Sequence, residues 1–186
     1  MNKLKKQKFS SHVIFSTKKF KKILKLKDGN YLTKDESIKL SVQIKDINDR
    51  IKFILSLVCD FSTEVSIRFC DCEEMLALNS QFRGKFYPTD VLSFPTLNPE
   101  PDSRLQYLGD ILICLPVCFN QAKHARISLS DELERMIIHG IVHLKGFDHE
   151  RNESAWRVMT QLEKSIKKEI IHSMGKSNWC QATILN

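Results

Sequence analysis

The spacing of apolar residues along this chain changes several times, and each change marks an element. From Lys34 to Leu57, Ile38, Val42, Ile44, Ile47, Ile51, Ile54 and Leu55 recur mostly three or four apart with charges between them. That is the period of a surface helix with one buried stripe. VSIRFC, residues 65–70, switches to strict alternation, with Val65, Ile67 and Phe69 set against Ser66, Arg68 and Cys70. A period of two predicts a strand with one face on the core. HVIFS, residues 12–16, is short and rich in strand formers and reads as a first edge strand. From Cys72 to Phe82 the helical spacing returns, with Met75, Leu76, Leu78 and Phe82 expected inward and Gly84 as the left-handed stop. DVLSF (90–94) and LGDILICL (108–115) read as two strands that pair with each other, and Pro95, Pro99 and Pro101 make the stretch between them a loop.

After Pro116, a run through Val117, Phe119, Gln121 and Ala122 predicts a helix start, where the fixed backbone angle of proline is tolerated. The next helix is capped by Ser128 or Ser130. Asp131, Glu132 and Glu134 lie near the positive end of its dipole, and Leu133, Met136, Ile137, Ile141 and Leu144 form its buried stripe. Gly146 stops it. A last helix, about Glu153 to Ile171, turns Trp156, Met159, Leu162, Ile166 and Ile170 inward. The final fifteen residues show no periodicity. Helices mixed with a few strands place the fold in the α+β class, a small mixed sheet packed with helices.

Composition adds bounds to this picture. The 186 residues, 42% hydrophobic and 27% charged, fit one globular domain. The longest apolar run, Ile51 to Cys59, is broken by Lys52, so no segment approaches the roughly 20 apolar residues that span a bilayer. Charge is uneven. Ten of the 29 basic residues are lysines between Met1 and Lys27, where there is no acid, which leaves 19 basic residues against all 22 acidic ones elsewhere. The net charge of +7 therefore belongs to the arm, whose uses are sequence-independent phosphate contact or solubility alone. A targeting peptide ranks last, because the arm lacks a long apolar centre and has no arginine. The expected organisation is a basic arm over residues 1–30, one catalytic domain over 31–172 and a tail over 173–186. Six cysteines without a CxxC pair read as free thiols in a reducing cytoplasm, with Cys114 a small buried hydrophobe.

Within the second-to-last helix, HGIVHLKGFDH (139–149) carries the chemistry. Residues four apart share a helix face, so His139 and His143 can address one point, and a turn at Gly146 can return His149 to it. Three imidazoles leave one tetrahedral position of a zinc ion open, which separates a catalytic site from a structural one. With six histidines in 186 residues, the chance of this triple somewhere in the chain is roughly 0.005 before the glycine is counted, so metal binding is preferred over three packed or surface imidazoles. His12, His124 and His172 read as such packed or surface residues. The spacing is that of a zinc peptidase helix, except that Gly140 stands where the glutamate base would be. Asp148 and Glu150 are near in sequence, but neither occupies that helical position, and peptide hydrolysis is disfavoured. Phosphodiester chemistry needs a cation instead, and Arg83 and Lys85 beside a glycine turn provide candidates, with Arg83 able to clamp a phosphate through two N–H groups. Lys145 is a weaker candidate.

Three stretches, LNSQFRGKFYPTDVLSFP (78–95), LGDILICLPVCFNQA (108–122) and HGIVHLKGFDH (139–149), with VSIRFCD upstream, resemble the YbeY-type endoribonucleases, the rRNA maturation factors of bacteria and organelles. The resemblance covers roughly residues 60–165. It implies a compact α+β fold with a zinc-metalloprotease-like helix, one zinc ion on His139, His143 and His149, and Arg83 near the metal in a basic groove. It also implies cleavage of single-stranded RNA in small-subunit rRNA maturation and ribosome quality control, in the cytoplasm and off the membrane, with ribosomal proteins or assembly GTPases as candidate partners. Phe147 replaces the tyrosine usual in the family, and the N-terminus is longer and more basic than the family's usual start. The runner-up is a ribosome-assembly RNA-binding factor in which the metal only stiffens the fold. A peptidase ranks third.

Overall fold

Alternating burial along Thr63–Cys70 (β3) sets the centre of the molecule: Val65, Ile67 and Phe69 point to one side and are almost completely buried. In the computed structural model, which describes residues 11–16, 37–59, 62–97, 105–148 and 152–185, β3 lies between Ser11–Ser16 (β1) and Gln106–Cys114 (β5), parallel to both. Val91–Pro95 (β4) closes the other edge antiparallel to β5, giving the order β1-β3-β5-β4. The expected pairing of the two strands around the proline loop is present, and HVIFS is an edge strand. Residues 98–104 of that loop lie outside the described residues.

One face of the sheet carries the main core. Ile44–Val58 (α1), Leu129–Leu144 (α4) and Glu153–Met174 (α5) pack Ile51, Ile54, Leu133, Ile137, Ile141 and Ile166 against Val65, Ile67, Ile111 and Ile113. The opposite face is covered more thinly, by Met75 of Cys72–Arg83 (α2) over Cys70, Leu92, Leu112 and Cys114. Leu115–Ala125 (α3) links β5 to α4 and starts with proline in its first turn, as expected. The architecture is α+β, a small mixed sheet packed with helices.

Four expectations need correction. The helix expected from Lys34 begins at Ile44; Ile38 and Val42 belong instead to Ser37–Val42 (β2). A spacing of four satisfies the strand period as well as the helical one, so that pair could not decide between them. The patternless C-terminus forms Cys180–Leu185 (β6), which runs antiparallel to β2 in a separate two-stranded sheet. On α2, Leu76 and Phe82 are 40% and 58% exposed; Phe82 sits at the edge strand, its ring edge-on to Phe94 at 5.1 Å. Trp156 is 53% exposed because it lies about 60° round α5 from the Met159, Ile166 and Ile170 stripe.

The start of β6 is seated by polar groups as well as by the core, in which Trp179 and Cys180 are buried. Buried Ser130 donates its hydroxyl to the Cys180 carbonyl and accepts from the Cys180 N–H, both at 2.7 Å, while Ser128 caps α4 through the Asp131 N–H at 3.0 Å. Arg50 of α1, almost wholly buried, donates to Glu134 at 3.0 Å and to the carbonyls of Met174, Gly175 and Lys176, and so satisfies the open end of α5. None of the six cysteines is disulfide-bonded. Contact with Cys70, then burial, pushes the Cys114 thiol up to about 12, which keeps it protonated and consistent with its reading as a small buried hydrophobe.

Candidate metal centre

Helix α4 buries its apolar stripe in the core and turns the opposite side, with Arg135, His139 and His143 at successive four-residue steps, towards a cleft of about 510 Å³. The facing wall comes from the end of α2 and the turn into β4, where Arg83, Lys85 and Tyr87 line the cleft. Gly146, Phe147 and Asp148 close the near end. Gly146 takes φ +89, and its N–H and that of Phe147 bond back to the carbonyls of His143 and Val142, so the chain reverses directly below the histidines.

The two imidazoles meet. Their Nε2 atoms are 3.1 Å apart and their rings nearly perpendicular, at 88°. Their other nitrogens are committed elsewhere. Nδ1–H of His139 donates to the Glu163 carboxylate at 2.7 Å, and Nδ1–H of His143 donates to the Phe147 carbonyl at 2.8 Å. A carbonyl oxygen cannot donate, and a carboxylate accepts, so each neutral ring holds its proton on Nδ1 and directs a lone pair from Nε2. Two lone pairs at that distance repel unless a proton or metal ion is shared between them. Nitrogens bound to one tetrahedral zinc at ~2.0–2.1 Å are about 3.3–3.4 Å apart, close to the spacing observed. Anchoring the far nitrogen to a carboxylate or carbonyl is also how metal-binding histidines are oriented. The two described imidazoles therefore suit two corners of a tetrahedral zinc site, and among the described residues no group of three possible ligands is assembled.

Of the residues expected at the site, the structure brings His139, His143 and Arg83 to one cleft, with Lys85 beside them. His149 and Glu150 lie outside the described residues. Lys145 is not among the residues that line the cleft, whereas Asp148, from the turn after the helix, is. His124 and His172 are exposed, away from the cleft. Gly140 faces the sheet: a Cβ there would lie 2.9 Å from both Cδ1 and Cγ2 of Ile111. The missing glutamate thus has a packing cause, because a side chain at 140 would enter β5 rather than the cleft.

Three features of the site were not read from the sequence. Arg135 follows from the four-residue spacing before His139 and could have been found. It forms a two-point bond to the buried Glu132, which holds its guanidinium above its ordinary pKa, and it remains half-exposed on the cleft. Glu163 sits on α5, 24 residues beyond His139, and nothing local to either residue points to the other. Asp90 lines the cleft, but its carboxylate is occupied by the Val91 N–H at 2.9 Å, the Thr89 hydroxyl and the Gln121 amide, so it braces the entry to β4.

The family model for endoribonuclease YbeY matches residues 30–171. Endoribonuclease YbeY of Persephonella marina is 38% identical over 130 residues, covering 70% of this chain and 85% of the relative. That of a Sulfurihydrogenibium species is 39% identical over 123 residues, covering 66% and 78%. The solution structure of TM1509 from Thermotoga maritima is 24% identical, with a TM-score of 0.45, and the match covers 73% of this chain and 88% of that one, a likeness too distant to add to the family match.

Proposed function

The chain belongs to the YbeY endoribonuclease family, and from that premise we propose a zinc-dependent endoribonuclease that cuts single-stranded RNA in small-subunit rRNA maturation and quality control. The observation that carries this reading is the convergence of the two Nε2 lone pairs in a cleft that also holds Arg83. His139 and His143 would hold the ion, with His149 as the third ligand that the motif spacing supplies. A bound zinc ion would supply Lewis acidity and a coordinated water whose pKa falls towards about 7.

The chain's own groups do the rest. Glu163 and the Phe147 carbonyl fix the two rings, so that each directs Nε2 rather than Nδ1 into the cleft. Arg83, on the opposite wall, places a fixed positive charge where a phosphodiester would gain negative charge as it reacts. Lys85 and Arg135 extend that charge along the cleft, where neighbouring phosphates of a strand would lie. The ten lysines of residues 1–27 add a sequence-independent attraction to RNA. Among the described residues no helix is long and apolar enough to cross a membrane.

The test is incubation of zinc-loaded wild-type, His143→Ala and Arg83→Ala proteins with a single-stranded rRNA fragment, with and without chelator. The wild type cuts and the chelator stops it. His143→Ala falls to background, and Arg83→Ala loses about a hundredfold in kcat. Equal cutting by wild type and His143→Ala would make the activity a contaminant. An Arg83→Ala protein that still supports rRNA maturation in cells, with no cutting by the wild type, would favour the non-catalytic assembly factor.

A further inference from the structure

The turn between α2 and β4 carries two neighbouring aromatic rings that the core does not use. Phe86 is 80% exposed and Tyr87 55% exposed, and neither belongs to the packed clusters. Of the two, Tyr87 lines the cleft, together with Lys85 before it and Thr89 after it, and Phe86 precedes it in the turn without lining the cleft; other exposed apolar side chains, such as Leu97 and Trp156, do not line it. We propose that Phe86 and Tyr87 form a base-stacking subsite that holds unpaired nucleobases next to the phosphate to be cut. This rests on the nuclease reading and names what would make the cleft selective for single strands.

The backbone of the turn is fixed before any ligand arrives. Gly84 N–H bonds to the Ser80 carbonyl at 3.1 Å and Lys85 N–H to the Asn79 carbonyl at 3.3 Å. Asn79 is buried, and its side-chain amide donates to the Tyr87 carbonyl at 2.7 Å. A ring held on a pinned backbone loses little freedom on binding, which lowers the cost of ordering it. The order of residues also suits the ligand. Arg83, Lys85, Phe86 and Tyr87 place cations beside aromatic faces, and a single strand presents phosphates beside bases. Phe147 lines the cleft from the turn after α4, giving a base in the cleft a second aromatic neighbour. A duplex has already stacked its bases on one another and offers no free faces to these rings, so the subsite discriminates against it without reading sequence.

The experiment uses zinc-loaded full-length wild type, a Phe86→Ala/Tyr87→Ala double variant, and the matching double replacements by leucine and by tryptophan. The probe is a single-stranded oligoribonucleotide carrying 2-aminopurine, whose fluorescence is quenched by stacking, with a hairpin of the same sequence as control. Quenching is followed before cleavage, and kcat and KM are followed separately. Wild type quenches the probe, and the alanine variant loses the quench and raises KM about fivefold or more per lost stacked base. Its kcat on the single strand stays within about threefold, the leucine variant behaves like alanine and the tryptophan variant like wild type. If wild type cuts RNA but the alanine variant keeps both quench and KM, the subsite is wrong and the nuclease reading stands. If wild type quenches without cutting and the alanine variant does not quench, the subsite stands and the nuclease reading falls. A wild type that neither quenches nor cuts overturns both.

Discussion

Gly140 shows how one position can carry two explanations. The residue was first notable as the absence of a catalytic base, but a Cβ there would lie 2.9 Å from Ile111, so the space a side chain would need is filled by the sheet. The histidines on either side of it were legible because two imidazoles four residues apart must share a helix face. Glu163 was not legible, because its contact with His139 depends on how α5 crosses α4, which no local spacing encodes. That contact makes a prediction at the residue scale. Glu163→Gln keeps an oxygen acceptor but removes the charge behind the ring, and zinc affinity, measured by competition with a chromophoric chelator, falls about 10–100-fold. The metal-free melting temperature stays near that of the wild type. An unchanged zinc affinity would show that the carboxylate has no part in orienting His139.

At the scale of elements, strict alternation placed β3 and helical spacing placed α4 and α5, while β4 and β5 were legible as apolar runs bounded by the proline loop. Local pattern failed where a short strand finds its partner far away. β6 pairs with β2 more than 130 residues upstream, and the bonds from Ser130 to Cys180 that seat it involve single polar groups with no repeat. The buried Arg50 has the same character: it joins α1, α4 and the end of α5 through Glu134 and three backbone carbonyls, while Lys167 also reaches Glu134. Arg50→Ala leaves Glu134 with Lys167 as its remaining cation and uncaps α5. Denaturant unfolding should show a loss of about 3 kcal/mol, with zinc stoichiometry retained. A loss under 1 kcal/mol would mean that Lys167 and water replace the guanidinium.

Across the whole molecule, the three motif stretches turn out to do different work. Residues 78–95 supply the cationic and aromatic wall and 139–149 supply the imidazoles, while 108–122 adds nothing to the cleft lining. That middle stretch forms the strand on which Gly140 rests and the helix whose Gln121 holds Asp90. A family resemblance could identify all three together, but only the packing separates the scaffold from the site. The central claim is that the paired histidines bind the ion on which RNA cleavage depends. It is tested most directly by stripping the protein with chelator and measuring cleavage of single-stranded RNA as zinc is titrated back. The rate should climb to a plateau at one zinc per chain in the wild type and stay flat in His139→Ala. A stripped protein that cuts as fast as the zinc-replete one would contradict the claim.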